Sequence, residues 1–188
     1  NVHVWSGYTI LSLVLFRIVW GVVGSSTARF AAFVRGPAAI LAYGRTFFRR
    51  APQPHLGHNP MGALSVVTLL GLFLAQASFG LFAVDVDGID SGPLSRFVSF
   101  DVGREAARLH GITFTLIQIF AGLHIVVVLF YLAYKRQNLI LPMLTGRARF
   151  PTDFKPPAAR FRSPWLALLI FAATSALVWL VIANPPRF

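Results

Sequence analysis

The stretch Leu109–Tyr134 (LHGITFTLIQIFAGLHIVVVLFYLAY) carries no charged residue. It is long enough to cross a hydrocarbon core of about 30 Å, which takes about 20 residues of helix. No other feature constrains the fold as strongly. In lipid every backbone amide and carbonyl must be satisfied within a helix or a closed barrel, and a run this long and apolar reads as a helix. Three further runs meet the same condition: Val4–Val23, Met61–Val84 and Trp165–Ala183, the last closed by Asn184-Pro185-Pro186. The expected fold class is all-α: an integral membrane helical bundle, one domain over residues 1–188, with four transmembrane helices at about 4–23, 61–84, 109–134 and 165–183.

Only 12% of the residues are charged, about half the level of a soluble domain. The formal charge of +11 raises the question of nucleic acid. Its distribution excludes that partner, because the bases sit in the loops between apolar runs, as the positive-inside rule requires. The loop from Gly24 to Pro60 holds Arg29, Arg35, Arg45, Arg49 and Arg50 and no acid. The loop from Asp85 to Arg108 is net acidic, with Asp85, Asp87, Asp90, Asp101 and Glu105 against Arg96, Arg104 and Arg108. The loop from Lys135 to Pro164 is again basic. The expected topology puts both basic loops in the cytoplasm. Asn1, the acidic loop and Phe188 then face the periplasm of a bacterial inner membrane. The first loop interleaves Phe30, Phe33, Val34, Ile40, Leu41, Tyr43, Phe47 and Phe48 with its arginines, the pattern of a segment lying in the membrane interface. The absence of cysteine removes disulfides, cysteine-held iron–sulfur clusters and covalent thioether attachment of a cofactor.

Two histidines, His110 and His124, lie inside the third apolar run. Fourteen residues at about 100° each return to within about 40° of the same helix face, and the rise separates them by about 21 Å. An ionisable side chain within a membrane helix marks a functional site, and a transition metal is the partner that favours neutral imidazole. Thr113, Ile117 and Ala121 join the two along one stripe. In the expected topology His3 opens the first helix at the depth of His110, so the two can clamp one metal centre. His58 enters the second helix at the depth of His124, with His55 just before it. Gly7 and Gly21 share the His3 face, where small residues let a large planar macrocycle approach the backbone. Arg17 repeats the fourteen-residue interval from His3. Its guanidinium suits bidentate contact with a carboxylate, although the same side chain can snorkel to headgroups. Histidines that are merely structural, or that relay protons, remain the alternative.

These residues resemble a known group. His3-x-x-x-Gly7-Tyr8, with Leu15-Phe16-Arg17-x-x-Trp20-Gly21, resembles the second transmembrane helix of the bacterial cytochrome b561 and nickel-iron-hydrogenase cytochrome b subunit superfamily. Ala28-Arg29-Phe30 with Phe33-Val34-Arg35-Gly36-Pro37 is similar to the loop that follows, and His58-Asn59-Pro60-x-Gly62-Ala63 to the entry of its third helix. Leu109-His110 through His124 is similar to its fourth helix, and Asn138-Leu139 through Met143-x-Thr145-Gly146 to its exit. Trp165–Ala183 resembles the extra C-terminal helix of some members. The resemblance implies a membrane cytochrome with two b-type haems. His3 and His110 would ligate the outer haem, and His124 would supply one ligand of the inner haem. Arg17, Gly7, Gly21 and His58 would be cofactor-binding, Arg17 toward a propionate. The chain departs from the family pattern in lacking the preceding helix with an aromatic-His-Trp motif that supplies the other inner ligand. The expectation is that this helix is missing from the sequence, with His58 placed on the correct side to substitute. A second departure is Gly111, where relatives often carry an acid.

The function expected is transmembrane electron transfer through bis-histidine b-type haems, between the quinone pool and a periplasmic c-type cytochrome or dehydrogenase subunit. A membrane-anchor subunit of a larger oxidoreductase is the nearest alternative, and a non-redox scaffold or transporter subunit the more distant one. No nucleophile, acid–base pair or nucleotide motif suggests an independent catalyst, and no catalytic residue is expected.

Overall fold

The computed structural model describes residues 2–50, 57–87, 91–147, 150, 155 and 158–183; His55 lies outside them. Among the described residues there are seven α-helices and no strand. They are α1 (Val2–Val23), α2 (Phe30–Phe33), α3 (Pro37–Arg45), α4 (Pro60–Phe82), α5 (Phe100–Ala133), α6 (Ile140–Thr145) and α7 (Pro164–Ala183). Helices α1, α4, α5 and α7 are the ones long and apolar enough to cross a membrane. They coincide with the four apolar runs, as expected of an all-α membrane bundle. The interfacial segment forms the two short helices α2 and α3.

Local sequence sets the ends. Asn59 caps α4, its side chain accepting from the Gly62 amide at 2.7 Å, and Pro60 takes the first helical position, where its missing N–H costs nothing. Ser99 caps α5 by accepting from the Val102 amide at 3.4 Å. Helix α5 therefore begins at Phe100, nine residues before the apolar run. At 34 residues it is about 51 Å long, more than a bilayer core needs. The polar composition of Asp101–Arg108 reads as loop, whereas the cap and the Glu105–Arg108 ion pair one turn apart carry the helix through it.

The long helices pack in series. Helix α7 packs on α1, α1 on α4, and α4 on α5. Trp5 stacks on Trp179 at 6.2 Å and Phe16 meets Phe171 edge-on at 5.9 Å, so α1 and α7 run antiparallel. Helices α4 and α5 are antiparallel too, and α1 is parallel to α5. Backbone and hydroxyl bonds from Ser25 and Ser26 to Arg160 and Arg162 tie the end of α1 to the approach of α7. No large side chain among the described residues is fully buried, and rows of Leu, Ile, Val and Phe face outward. Lipid tails are as apolar as those side chains, so association rests on close packing and polar contacts instead.

The segment after α4 doubles back over it. Gly92 donates to the Ala83 carbonyl at 2.7 Å and Leu94 to the Leu81 carbonyl at 2.9 Å, satisfying acceptors at a helix end that lack intrahelical partners. Val84 donates to Gly103 at 3.1 Å and its carbonyl accepts from Arg104 at 3.0 Å. A Cβ at Gly103 would lie 2.3 Å from the Val84 side chain. Replacing Gly103 with alanine is therefore expected to lift Val84 off α5 at a cost of about 1–3 kcal/mol. Thermal unfolding in detergent, with limited proteolysis after α4, measures it; an unchanged midpoint and unchanged cleavage would count against this contact.

Candidate functional site

Five of the predicted residues cluster at two levels of the bundle. At one end, α1 and α5 bring His3 and His110 together with ring centroids 5.9 Å apart and ring planes at 83°. Helices α1 and α5 share no extended backbone packing among the described residues; each packs on α4, and the imidazoles meet across that separation. His110 is half-buried and held by α4. Its Nδ1 lies 2.9 Å from the Gln76 carbonyl and its Nε2 3.0 Å from the Gln76 amide nitrogen. A carbonyl only accepts, so Nδ1 carries the proton, and the amide donates to the Nε2 lone pair. Thr113, buried one turn on, donates to the other atom of the Gln76 amide.

About four turns along α5, His124 Nδ1 lies 3.0 Å from the Ser65 hydroxyl of α4. His58 packs against the Phe33 ring at 4.8 Å, and its Nδ1 is buried without a hydrogen-bond partner among the described residues. Burial, then the charges of Arg17 and His124, push the His58 imidazole below its ordinary pKa, which places all three in one electrostatic neighbourhood. The Arg17 guanidinium lies over Phe30 at 5.0 Å and Phe33 at 5.9 Å, and one terminal nitrogen is buried with no hydrogen-bond partner among the described residues. The glycines divide. Gly7 faces open space, whereas the Phe30 ring fills the place of a side chain at Gly21.

Sequence reasoning missed the α4 partners. Gln76 is the only amide in the second apolar run, and Ser65 lies eleven residues before it, three turns away on nearly the same face. That polar stripe was the available signal. It also missed a hydrogen-bonded group at the arginine-rich end. Tyr43 of α3 and Tyr131 of α5 share a bond of 2.8 Å, and Asn59 donates to Tyr131 at 3.4 Å. Tyr131 is seven residues beyond His124, two turns along the same stripe. Burial and the Tyr131 bond raise the Tyr43 hydroxyl well above its ordinary pKa.

Among the described residues no three His, Asp or Glu side chains gather to hold a bare ion. A facing pair of imidazoles suits an iron whose other positions are filled by a macrocycle. At 5.9 Å between centroids the two imidazoles would be near enough to hold one such group between them. A carboxylate of such a macrocycle would satisfy the buried Arg17 nitrogen that has no partner among the described residues. A family model described as prokaryotic cytochrome b561 matches residues 1–146. The chain belongs to the prokaryotic cytochrome b561 family. It is a multi-pass membrane b-type cytochrome of electron transfer. No curated protein and no solved structure matches it. In this cytochrome α7 lies beyond the matched segment and braces α1, the helix that carries His3.

Two outcomes follow from the polar contacts. Tyr131→Phe removes the bond between the Tyr43 and Tyr131 hydroxyls and should cost about 0.5–1.5 kcal/mol; additive losses with Tyr43→Phe in a thermal double-mutant cycle would contradict the pairing. For His58, the folded pKa lies below the unfolded value of about 6.5, so the unfolded chain takes up the proton first. Stability should fall as pH drops from about 6.5 toward the folded value. Melting midpoints between pH 8 and 5 should decline less steeply in His58→Phe than in the unaltered protein.

Proposed function

We propose that this cytochrome carries electrons across the membrane through two b-type haems. His3 and His110 hold one, and His124 supplies a ligand of the other, with His58 the imidazole placed to complete it. The observation that carries this reading is the facing pair of imidazoles on α1 and α5. When bound, haem iron supplies the one-electron chemistry. The chain's residues do the rest. Two imidazoles at a site would hold the haem from the protein side, a donor set that would favour electron transfer over oxygen chemistry. The Gln76 carbonyl orients His110, and Ser65 orients His124. Arg17, Phe30 and Phe33 form a cationic and aromatic wall suited to a propionate. The two levels are about 21 Å apart by the rise of α5.

The charge pattern supports an orientation with α2, α3 and the Tyr43–Tyr131 pair on the cytoplasmic side and the His3–His110 level toward the periplasm. Quinone is the proposed partner within the bilayer. An apolar groove of about 560 Å³, lined by Ile18, Phe30, Val34, Val67, Leu70 and Leu74 and beginning one residue from Arg17, suits an isoprenoid tail. The projecting start of α5 favours a docked periplasmic partner, a c-type cytochrome or a dehydrogenase subunit, which includes the membrane-anchor reading.

Purified protein should give a b-type dithionite-reduced minus oxidised spectrum with about two haems per chain by pyridine haemochrome. His110→Ala should lose one of them with the helices intact by circular dichroism. Folded protein made with haem available yet containing none would refute the reading; a haem content unaffected by His110→Ala would refute the ligand assignment.

A further inference from the structure

His110 does not find its orientation on its own helix. Its Nδ1 reaches the backbone carbonyl of Gln76 on α4, at 2.9 Å. That carbonyl already belongs to the α-helical ladder, in which it faces the amide of the residue four positions on, and that residue is Gly80. An α-helical carbonyl is normally shielded from a neighbouring helix by the side chain at the following turn. Here there is none, and the imidazole occupies the space. A Cβ on Gly80 would lie 2.9 Å from His110 Cε1 and 3.1 Å from Nδ1, too close for the ring to stay. The side-chain amide of Gln76 meanwhile donates to Nε2 at 3.0 Å and is itself tethered to Thr113. One residue thus contacts both ring nitrogens, and only one tautomer satisfies both contacts.

We propose that Gly80 and Gln76 make α4 the positioning element of His110: the gap at Gly80 opens the Gln76 carbonyl, which holds the ring in its Nδ1–H tautomer and presents Nε2 as the atom that meets iron. The Gln76 amide keeps the Nε2 lone pair occupied in the structure described here, and gives way when a stronger acceptor of that lone pair arrives. The bond at Nδ1 then remains and strengthens the donor character of Nε2, because a histidine that donates its second N–H is a more basic ligand. A more basic ligand favours the ferric state. This inference rests on His110 being a haem ligand, as proposed above.

The test uses the haem-loaded protein and three variants: Gly80→Ala, Gln76→Leu and, as control, Gly44→Ala, whose added methyl meets nothing within 4 Å. Haem per chain, potentiometric titration and the ferric electron paramagnetic resonance spectrum are recorded for each. In Gly80→Ala one reduction potential should rise, by about 59 mV for a tenfold loss of preference for the ferric state. The ferric signal of that haem should change, while the other haem and the Gly44→Ala protein stay as in the unaltered protein. Gln76→Leu keeps the carbonyl open and should retain both haems. If Gly80→Ala sheds its haem outright, retention in Gln76→Leu upholds the carbonyl as the seat of His110, and loss in both overturns it. Unchanged potentials and spectra in Gly80→Ala overturn it equally. An unaltered protein without haem would instead sink the functional reading, a separate failure visible before any variant is made.

Discussion

A histidine inside a membrane has no water to bond, so the bundle itself must supply its partners. In this cytochrome that duty falls on α4. Ser65 meets His124, Gln76 meets His110, and the same helix packs on α1 and α5 at once. The hydrophobic effect does little between helices in lipid, which makes these polar contacts and the small residues around them the terms that fix how α4 and α5 register. Ala63, on α4, is almost entirely buried. The histidine-bearing helices α1 and α5 are thus positioned by a helix that carries no histidine of its own in the span.

The arginine-rich end is organised differently. There the apolar runs give way to an interface, and aromatic rings take over. Phe47 stacks on Phe130 at 5.0 Å, Arg50 lies over Tyr134 at 4.8 Å, and Lys135 lies over Tyr131 at 4.6 Å. Burial lowers the Lys135 ammonium from its ordinary pKa. Helix α3 and the residues after it are pinned to the end of α5 in this way, and the Tyr43–Tyr131 bond lies inside the pinned region.

Much of this was legible in the sequence, for reasons that differ by residue. The four spans follow from backbone hydrogen bonding in lipid, which leaves a long apolar run only one open-ended structure. The meeting of His3 with His110 follows from helix phase combined with loop charge, which sets the two at one depth. The start of α5 did not follow, because Asp101–Arg108 has the composition of a loop and only the Ser99 cap and a one-turn ion pair make it helix. Gln76 was missed because a lone amide in an apolar run carries no periodicity by itself; its meaning depends on which residue of another helix arrives opposite it. Gly21 was read for its face and its openness, and the ring that fills it comes from α2, a segment whose path the sequence leaves free.

The serial packing of the bundle has a consequence for tolerance. The gap between the His3 and His110 rings is not set by one interface but by two in succession, α1 against α4 and α4 against α5. Clearances in such a stack add. A fraction of an ångström gained at each joint appears in full between the two rings. Residues on both flanks of α4 that touch neither ring therefore share with Gln76 in deciding how far apart the rings stand.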